Sequence, residues 1–112
     1  KVVRFVAAVD CGTAINPLGI EAQVQGGIAY GLSAVLHSEL SLKNGRVEQS
    51  NFHDYRVLRL PDMPQVEVHV IESDAKMGGI GEPATAPVSA AVANAVYALT
   101  KQRLRSLPLR LA

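Results

Sequence analysis

The segment "VVRFVAAVD" is rich in Val and Phe and stops at a polar turn, "CGTAINP", so it predicts a strand from about Val2 to Val9. Beyond it the period changes. In "LGIEAQVQGGIAYGLSAVLHS" the apolar residues Ile20, Val24, Ile28, Leu32 and Val35 form one stripe at helical spacing, in spite of several glycines. Asn16-Pro17 breaks the chain just ahead and puts Pro17 near the helix start, where its missing N–H is tolerated. "ELSLKNGRVEQS" alternates on either side of Asn44-Gly45. A type I′ turn needs positive φ twice, which Asn-Gly supplies, so a hairpin is predicted with strands near Glu39–Lys43 and Arg46–Gln49. "SNFHDYRVLRLPDMP" has no clean period and reads as a loop laid over a core. "QVEVHVIES" alternates again, with Val66, Val68 and Val70 on one face, which predicts a strand with one wet side.

A second helix cannot begin at Pro83, because Pro87 would then stand where an intrahelical donor is required. A start near Thr85, with Pro87 in the first turn, avoids the conflict, and "VSAAVANAVYALT" carries the helix to about Thr100. "RLRSLPLR" closes the chain as an extended tail. The predicted class is α+β: a small, mostly antiparallel sheet with a β-hairpin, and two main helices packed on it. Residues 1–112 form a single domain without internal repeat or linker.

A chain of 112 residues supports one modest core. Lys and Arg number 11 against 10 for Asp and Glu, a net charge of +1, which gives no sign of a nucleic-acid partner. The clustered Arg103, Arg105 and Arg110 read as a solvated face or a subunit contact ahead of a phosphate patch. Cys11 is the single cysteine, and neither it nor His37, His53 and His69 has the paired spacing of metal ligands, so a buried structural thiol is expected. No apolar run approaches the roughly 20 residues that span a bilayer. An apolar strand pattern begins directly after Lys1, which suggests a segment of a longer chain or a processed subunit.

The densest chemistry lies in "SDAKMGGIGEPATAPVSAAVANAV". Gly78, Gly79 and Gly81 free the main chain and let a ligand approach it closely. Glu82, held between Gly81 and Pro83 ahead of a helix N-terminus, is favoured as the ionised carboxylate, which suits either a helix cap or a proton acceptor. The glycines lead into Glu-Pro rather than a clean strand-to-helix turn, so a dinucleotide-binding fold is weakly supported. On the first helix Gly26, Gly27 and Gly31 each cost about 1 kcal/mol relative to Ala, which implies close approach of another helix or of a planar cofactor. Gln23 and Gln25 precede them, and Gln23 offers two donors and an acceptor.

Taken in order, "VDCGTAINP", "EAQVQGGIAYGLSAVL", "SNFHDYRVLR", "GGIGEPATAPVSAAVANAV" and "RLRSLP" resemble the C-terminal end of the molybdenum-binding subunit of the xanthine oxidase and aldehyde oxidase family. The isoquinoline 1-oxidoreductase β-subunit branch is the most similar in these motifs, and the likeness covers nearly the whole chain. The resemblance implies that Glu82 is the active-site base beside molybdenum, acting while a water-derived oxygen attacks an electron-poor carbon. It implies that Gln23 touches the pterin part of the cofactor and that Gly79, Ile80 and Gly81 line the metal site. The cofactor implied is molybdopterin, in its cytosine dinucleotide form, carrying molybdenum through the pterin dithiolene; Cys11 matches no metal ligand. One departure stands out: Thr100-Lys101-Gln102-Arg103 replaces the family's Thr-Gly-Lys-Arg, which puts the helix C-cap in question.

The partners implied are the remainder of the molybdenum subunit and a [2Fe-2S] iron–sulfur subunit, with no nucleic acid and no membrane span. The complete enzyme would oxidise N-heteroaromatic compounds or aldehydes with water as oxygen source. The isolated segment is expected to be inactive and without cofactor. Its first-helix stripe and its Ala- and Val-rich last helix, partly short of cover, would leave an exposed apolar patch and favour self-association. The alternative is a non-enzymatic binding or assembly module, or a gene remnant, that keeps the fold without the cofactor. Bacterial cytoplasm and periplasm both remain open.

Overall fold

The alternation of "RFVAAV" becomes a strand, β1 (Arg4–Val9), whose Phe5, Ala7 and Val9 turn inward while Arg4, Val6 and Ala8 face solvent. The computed structural model describes residues 1–111. A 20-residue helix, α1 (Pro17–Leu36), follows. Its entry is as expected: Pro17 occupies the first turn, and the Asn16 side chain accepts a hydrogen bond from the Gly19 N–H at 3.0 Å.

A hairpin pairs β2 (Leu42–Lys43) with β3 (Arg46–Val47) through Asn44 and Gly45, which have φ of 51° and 75°. The turn is thus the expected one, but the strands are shorter than the sequence suggests. All four strand residues are exposed, so there is no buried face to extend the pairing. Where the ladder stops, the Gln49 amide continues it, accepting from the Ser41 N–H at 2.8 Å and donating to the Ser41 hydroxyl at 3.0 Å.

The following loop contains one 3₁₀ turn at Leu60–Asp62. In "SNFHDY" the Asp54 carboxylate accepts from the N–H groups of Asn51 and Ser50, and these donors hold its pKa down to about 2. The loop is tied to α1 through Ser33, whose hydroxyl donates to the Ala29 carbonyl and accepts from the Leu58 N–H.

The strand β4 (Gln65–Val70) then pairs with β1 in register from Arg4 opposite Gln65 to Val9 opposite Val70. Val66, Val68 and Val70 pack inward as expected. On the wet face Glu67 bonds both Arg4 and His69, and the Arg4 guanidinium is the main cause of its lowered carboxyl pKa.

The α+β class stands, with one correction to the sheet. Its six-residue pair, β1 with β4, is parallel, and the antiparallel hairpin forms a separate two-stranded sheet. The cause is connectivity. The long connection between β1 and β4 contains α1, and such a crossover returns the chain to the end of the sheet where it began.

The last helix, α2 (Ala86–Thr100), starts where Pro87 allows, after a Thr85 that makes no side-chain cap bond. It ends on Lys101, which takes the left-handed conformation with φ of 60°. Lysine therefore adopts the geometry for which glycine is favoured. The adjoining side chains support the turn: Lys101 Nζ donates to the Ala98 carbonyl at 3.2 Å, and the Arg103 guanidinium stacks 3.6 Å from the Tyr97 ring centroid. Lys101→Gly is expected to raise stability by about 0.5–1 kcal/mol, the left-handed penalty removed less the extra chain entropy of glycine. A higher urea midpoint would confirm this, and an unchanged or lower one would show that the lysine contacts outweigh the strain.

The core joins Cys11, Ile20, Val24, Ile28, Leu32 and Val35 to Val88 and Val92 of α2. The expected stripe is therefore correct, and α2 and the sheet cover it within this chain, so the apolar surface left exposed lies along α2 and not along this stripe of α1. The tail joins in through Leu109, whose N–H donates to the Val35 carbonyl at 2.7 Å, and through an Arg110–Glu39 ion pair. The shape remains open. The radius of gyration is 16.3 Å, where a compact chain of this length gives about 13 Å. An apolar groove runs between the start of β1 and α2, with Val3, Leu99 and Leu111 exposed along it.

Candidate functional site

The chain leaves β4 and crosses from the sheet to α2 over residues 71–85. Its first part lies on the turn that follows β1. The Ser73 hydroxyl donates to Asp10 Oδ1 at 2.7 Å, and the Gly78 N–H donates to the Cys11 carbonyl at 3.0 Å. Gly12, with φ of +72°, sits so close that a Cβ there would lie 2.5 Å from the Ala75 carbonyl oxygen. Asp10 also accepts from the Gly12 N–H, and these two donors, Gly12 first, lower its pKa.

The second part is built differently. Ile80 is half-buried against the core. On either side of it Gly79 and Gly81 face open space, since a Cβ on either would meet nothing within 4 Å. The main chain is thus bare on both sides of one apolar anchor. Glu82 follows, exposed, with its carbonyl accepting from the Thr85 N–H at 2.9 Å. Its carboxylate makes no hydrogen bond or ion pair among the described residues. The backbone of Glu82 therefore shapes the turn into α2, while its side chain caps nothing and keeps its full acceptor capacity.

The helix glycines divide between two uses. A Cβ on Gly27 would lie 3.0 Å from the Ala84 Cβ, and one on Gly31 would lie 2.8 Å from the Val88 Cβ. Gly31 therefore serves the approach of α2 and Gly27 that of the turn leading into it, so both faces are taken up by protein. Gly26, by contrast, faces open space. Moving along α1 from Gly31 to Gly27 steps the contact back from Val88 of α2 to Ala84 in the turn that leads into it. Gln23, one turn before Gly27 on α1, is exposed. Gln25 is engaged within the helix, its amide donating to Glu21 at 2.9 Å.

The fold keeps Gly79, Ile80, Gly81 and Glu82 on one segment, while Gln23 lies exposed on α1. Cys11 is buried in the core, as expected of a structural thiol. Among the described residues no cluster of three His, Cys, Asp or Glu side chains could hold a metal ion. Sequence reasoning passed over Asp10 and Ser73. Asp followed two residues later by Gly is an Asx-turn signal, but nothing local marks Ser73 as its partner 63 residues away.

Residues 1–64 match the model of the molybdopterin cofactor-binding domain. The chain is 40% identical over 110 residues to the isoquinoline 1-oxidoreductase β-subunit of Brevundimonas diminuta, covering 98% of this chain and 14% of that one. It is 38% identical over 107 residues to a membrane-bound aldehyde dehydrogenase [pyrroloquinoline-quinone] of Gluconacetobacter polyoxogenes, covering 96% of this chain and 14% of that protein. Quinoline 2-oxidoreductase from Pseudomonas putida 86 superposes with a TM-score of 0.85 at 29% identity, over 95% of this chain and 15% of that one. The chain thus spans about a seventh of the length of the curated relatives it matches. It belongs to the molybdopterin cofactor-binding domain family, as a segment of the molybdenum-binding subunits of xanthine oxidase type.

Proposed function

We propose that this chain forms one wall of the active site of a molybdenum hydroxylase that oxidises N-heteroaromatic compounds or aldehydes, with water as the oxygen source and Glu82 as the base. One observation carries the reading: the Glu82 carboxylate bonds to no other group among the described residues and ends a segment whose main chain is bare at Gly79 and Gly81. That segment fits a planar pterin and its metal, because glycine removes the side chains that would keep such a group away. When bound, the group accepts the two electrons released as a substrate C–H and a water become C–OH and two protons.

The chain's own residues do the rest. Glu82 takes up a proton through a carboxylate oxygen and gives it to solvent, a role for which an exposed, unpaired carboxylate is suited. Gln23 offers its amide to the polar edge of the pterin. Gly79 and Gly81 present main chain to the site, and Ile80 holds that strip against the core. The cytosine dinucleotide form of the cofactor belongs to this proposal. So do a [2Fe-2S] subunit that carries electrons away and a subunit remainder that covers the apolar groove beside α2.

The complete subunit, purified with its partners, is expected to hold about one molybdenum per chain and a pterin released by acid oxidation, and to transfer ¹⁸O from labelled water to product. The 112-residue chain alone is expected to hold neither metal nor pterin, because one wall offers few of the contacts that a large cofactor needs. Quinone absorbance without molybdenum in the complete protein would overturn the reading in favour of the cofactor for which one relative is named.

A further inference from the structure

The position of Glu82 depends on a turn far away in sequence. We propose that Asp10 is a positioning residue that seats the Glu82 loop at the active site. The inference rests on Glu82 being the base.

Asp10 stands directly after β1, at the carboxyl end of the parallel pair. A single atom, its Oδ1, accepts two hydrogen bonds: from the Gly12 N–H at 3.0 Å and from the Ser73 hydroxyl at 2.7 Å. Ser73 passes the constraint on, because its hydroxyl oxygen accepts from the Ala75 N–H at 3.3 Å. The next two residues of the turn hold the same loop by other means. The Cys11 carbonyl accepts from Gly78 N–H, with the Cys11 side chain locked in the core. Gly12 lets the main chain of Ala75 and Lys76 lie directly on its Cα. Three consecutive residues therefore grip Ser73–Gly78 with a side-chain oxygen, a main-chain oxygen and a bare surface.

The stretch from Gly79 to Glu82 has little stiffness of its own, since both of its glycines face open space. Its course is inherited from its fixed points: the grip behind it, Ile80 within it, and the bond from Thr85 N–H to the Glu82 carbonyl ahead of it. The Gly12 and Ser73 donors hold the Asp10 carboxyl below its ordinary range, and the charge it carries strengthens both bonds. Asp10 acts through the loop and not on substrate.

The test uses Asp10→Ala, Asp10→Asn, Ser73→Ala and Asp10→Ala/Glu82→Gln in the complete enzyme. It has two readouts: amide hydrogen exchange over residues 73–82 by mass spectrometry, and single-turnover reduction by substrate. Exchange is expected to rise about tenfold in Asp10→Ala and by less in Ser73→Ala, as loss of two bonds or one implies. Asp10→Asn keeps an oxygen where Oδ1 stands but loses the charge, and is expected to fall between wild type and Asp10→Ala. The reduction rate is expected to fall about tenfold in Asp10→Ala with substrate affinity unchanged, because general-base catalysis depends on reach before pKa. The double variant should be no slower than Glu82→Gln alone.

Unchanged exchange in both Asp10→Ala and Ser73→Ala would overturn the seating role. So would an Asp10→Asn variant as damaged as Asp10→Ala, which would point to charge instead of geometry. A further loss in the double variant would show that Asp10 acts independently of Glu82. If Glu82→Gln alone leaves the rate intact, the base assignment falls and the catalytic half of the proposal with it, and the exchange data still decide the seating.

Discussion

Glu82→Gln in the complete enzyme lowers the rate at which substrate reduces the metal centre by about 10²–10⁴-fold, the range of general-base contributions. Metal content and fold stay as they were. The expectation follows from how the residue is built in. Its backbone makes the turn into α2 through the carbonyl, and an amide side chain leaves that bond untouched. Its carboxylate bonds to no other described group, so the substitution breaks no structural contact and should cost at most about 0.5 kcal/mol of stability. A helix-capping role would give the reverse, a loss of about 1 kcal/mol with the chemical step intact. The measurement is a single-turnover reduction on protein shown to carry full metal. A variant that keeps more than about a tenth of the wild-type rate removes Glu82 from the role of base, because even the low end of the range requires more.

Gly31→Val destabilises the chain by about 3 kcal/mol, at the top of the usual range for overpacking. The first added atom already lies 2.8 Å from the Val88 Cβ and 2.9 Å from the Thr85 carbonyl oxygen. Neither can give way as a flexible side chain could. Val88 is fully buried, and the carbonyl belongs to the first turn of α2. The two helices must part, and the start of α2 carries the Glu82 segment with it. Five residues earlier the sign reverses. Gly26 meets nothing within 4 Å, so Gly26→Ala gains up to about 1 kcal/mol of helix propensity. Denaturant unfolding of the pair checks both. A Gly31→Val loss below about 1 kcal/mol would mean that the helices slide apart freely.

These glycines also show how far the sequence could be read. The cost of glycine within a helix announces that something comes close at Gly27 and Gly31, but only the packed structure says that it is Ala84 and Val88. The stripe from Ile20 to Val35, the Asn44-Gly45 turn and the entry of α2 at Pro87 were legible, because each rests on a period or a dihedral preference local to a few residues. The direction of β4 against β1 was not, since alternation says which face is wet and nothing about the neighbour. Within the candidate site, composition drew attention to the glycines before Glu82, while the roles given to Glu82, Gln23 and Ile80 came only from the resemblance. The grip of Asp10 on Ser73 was not legible, because a hydrogen bond across 63 residues has no local signature.

That separation also bears on the order in which the molecule assembles. α1, the hairpin and the 3₁₀ turn each form from neighbours in sequence, on the microsecond scale of local elements. The parallel pairing of β1 with β4 must wait until the chain between them has been drawn together, and closing so long a loop is slow whatever its final stability. Ser73 reaches Asp10 only after that closure, at the end of the newly joined strands. Glu82 and its glycine strip are therefore expected to be among the last parts of the chain to become ordered, after α1 has formed.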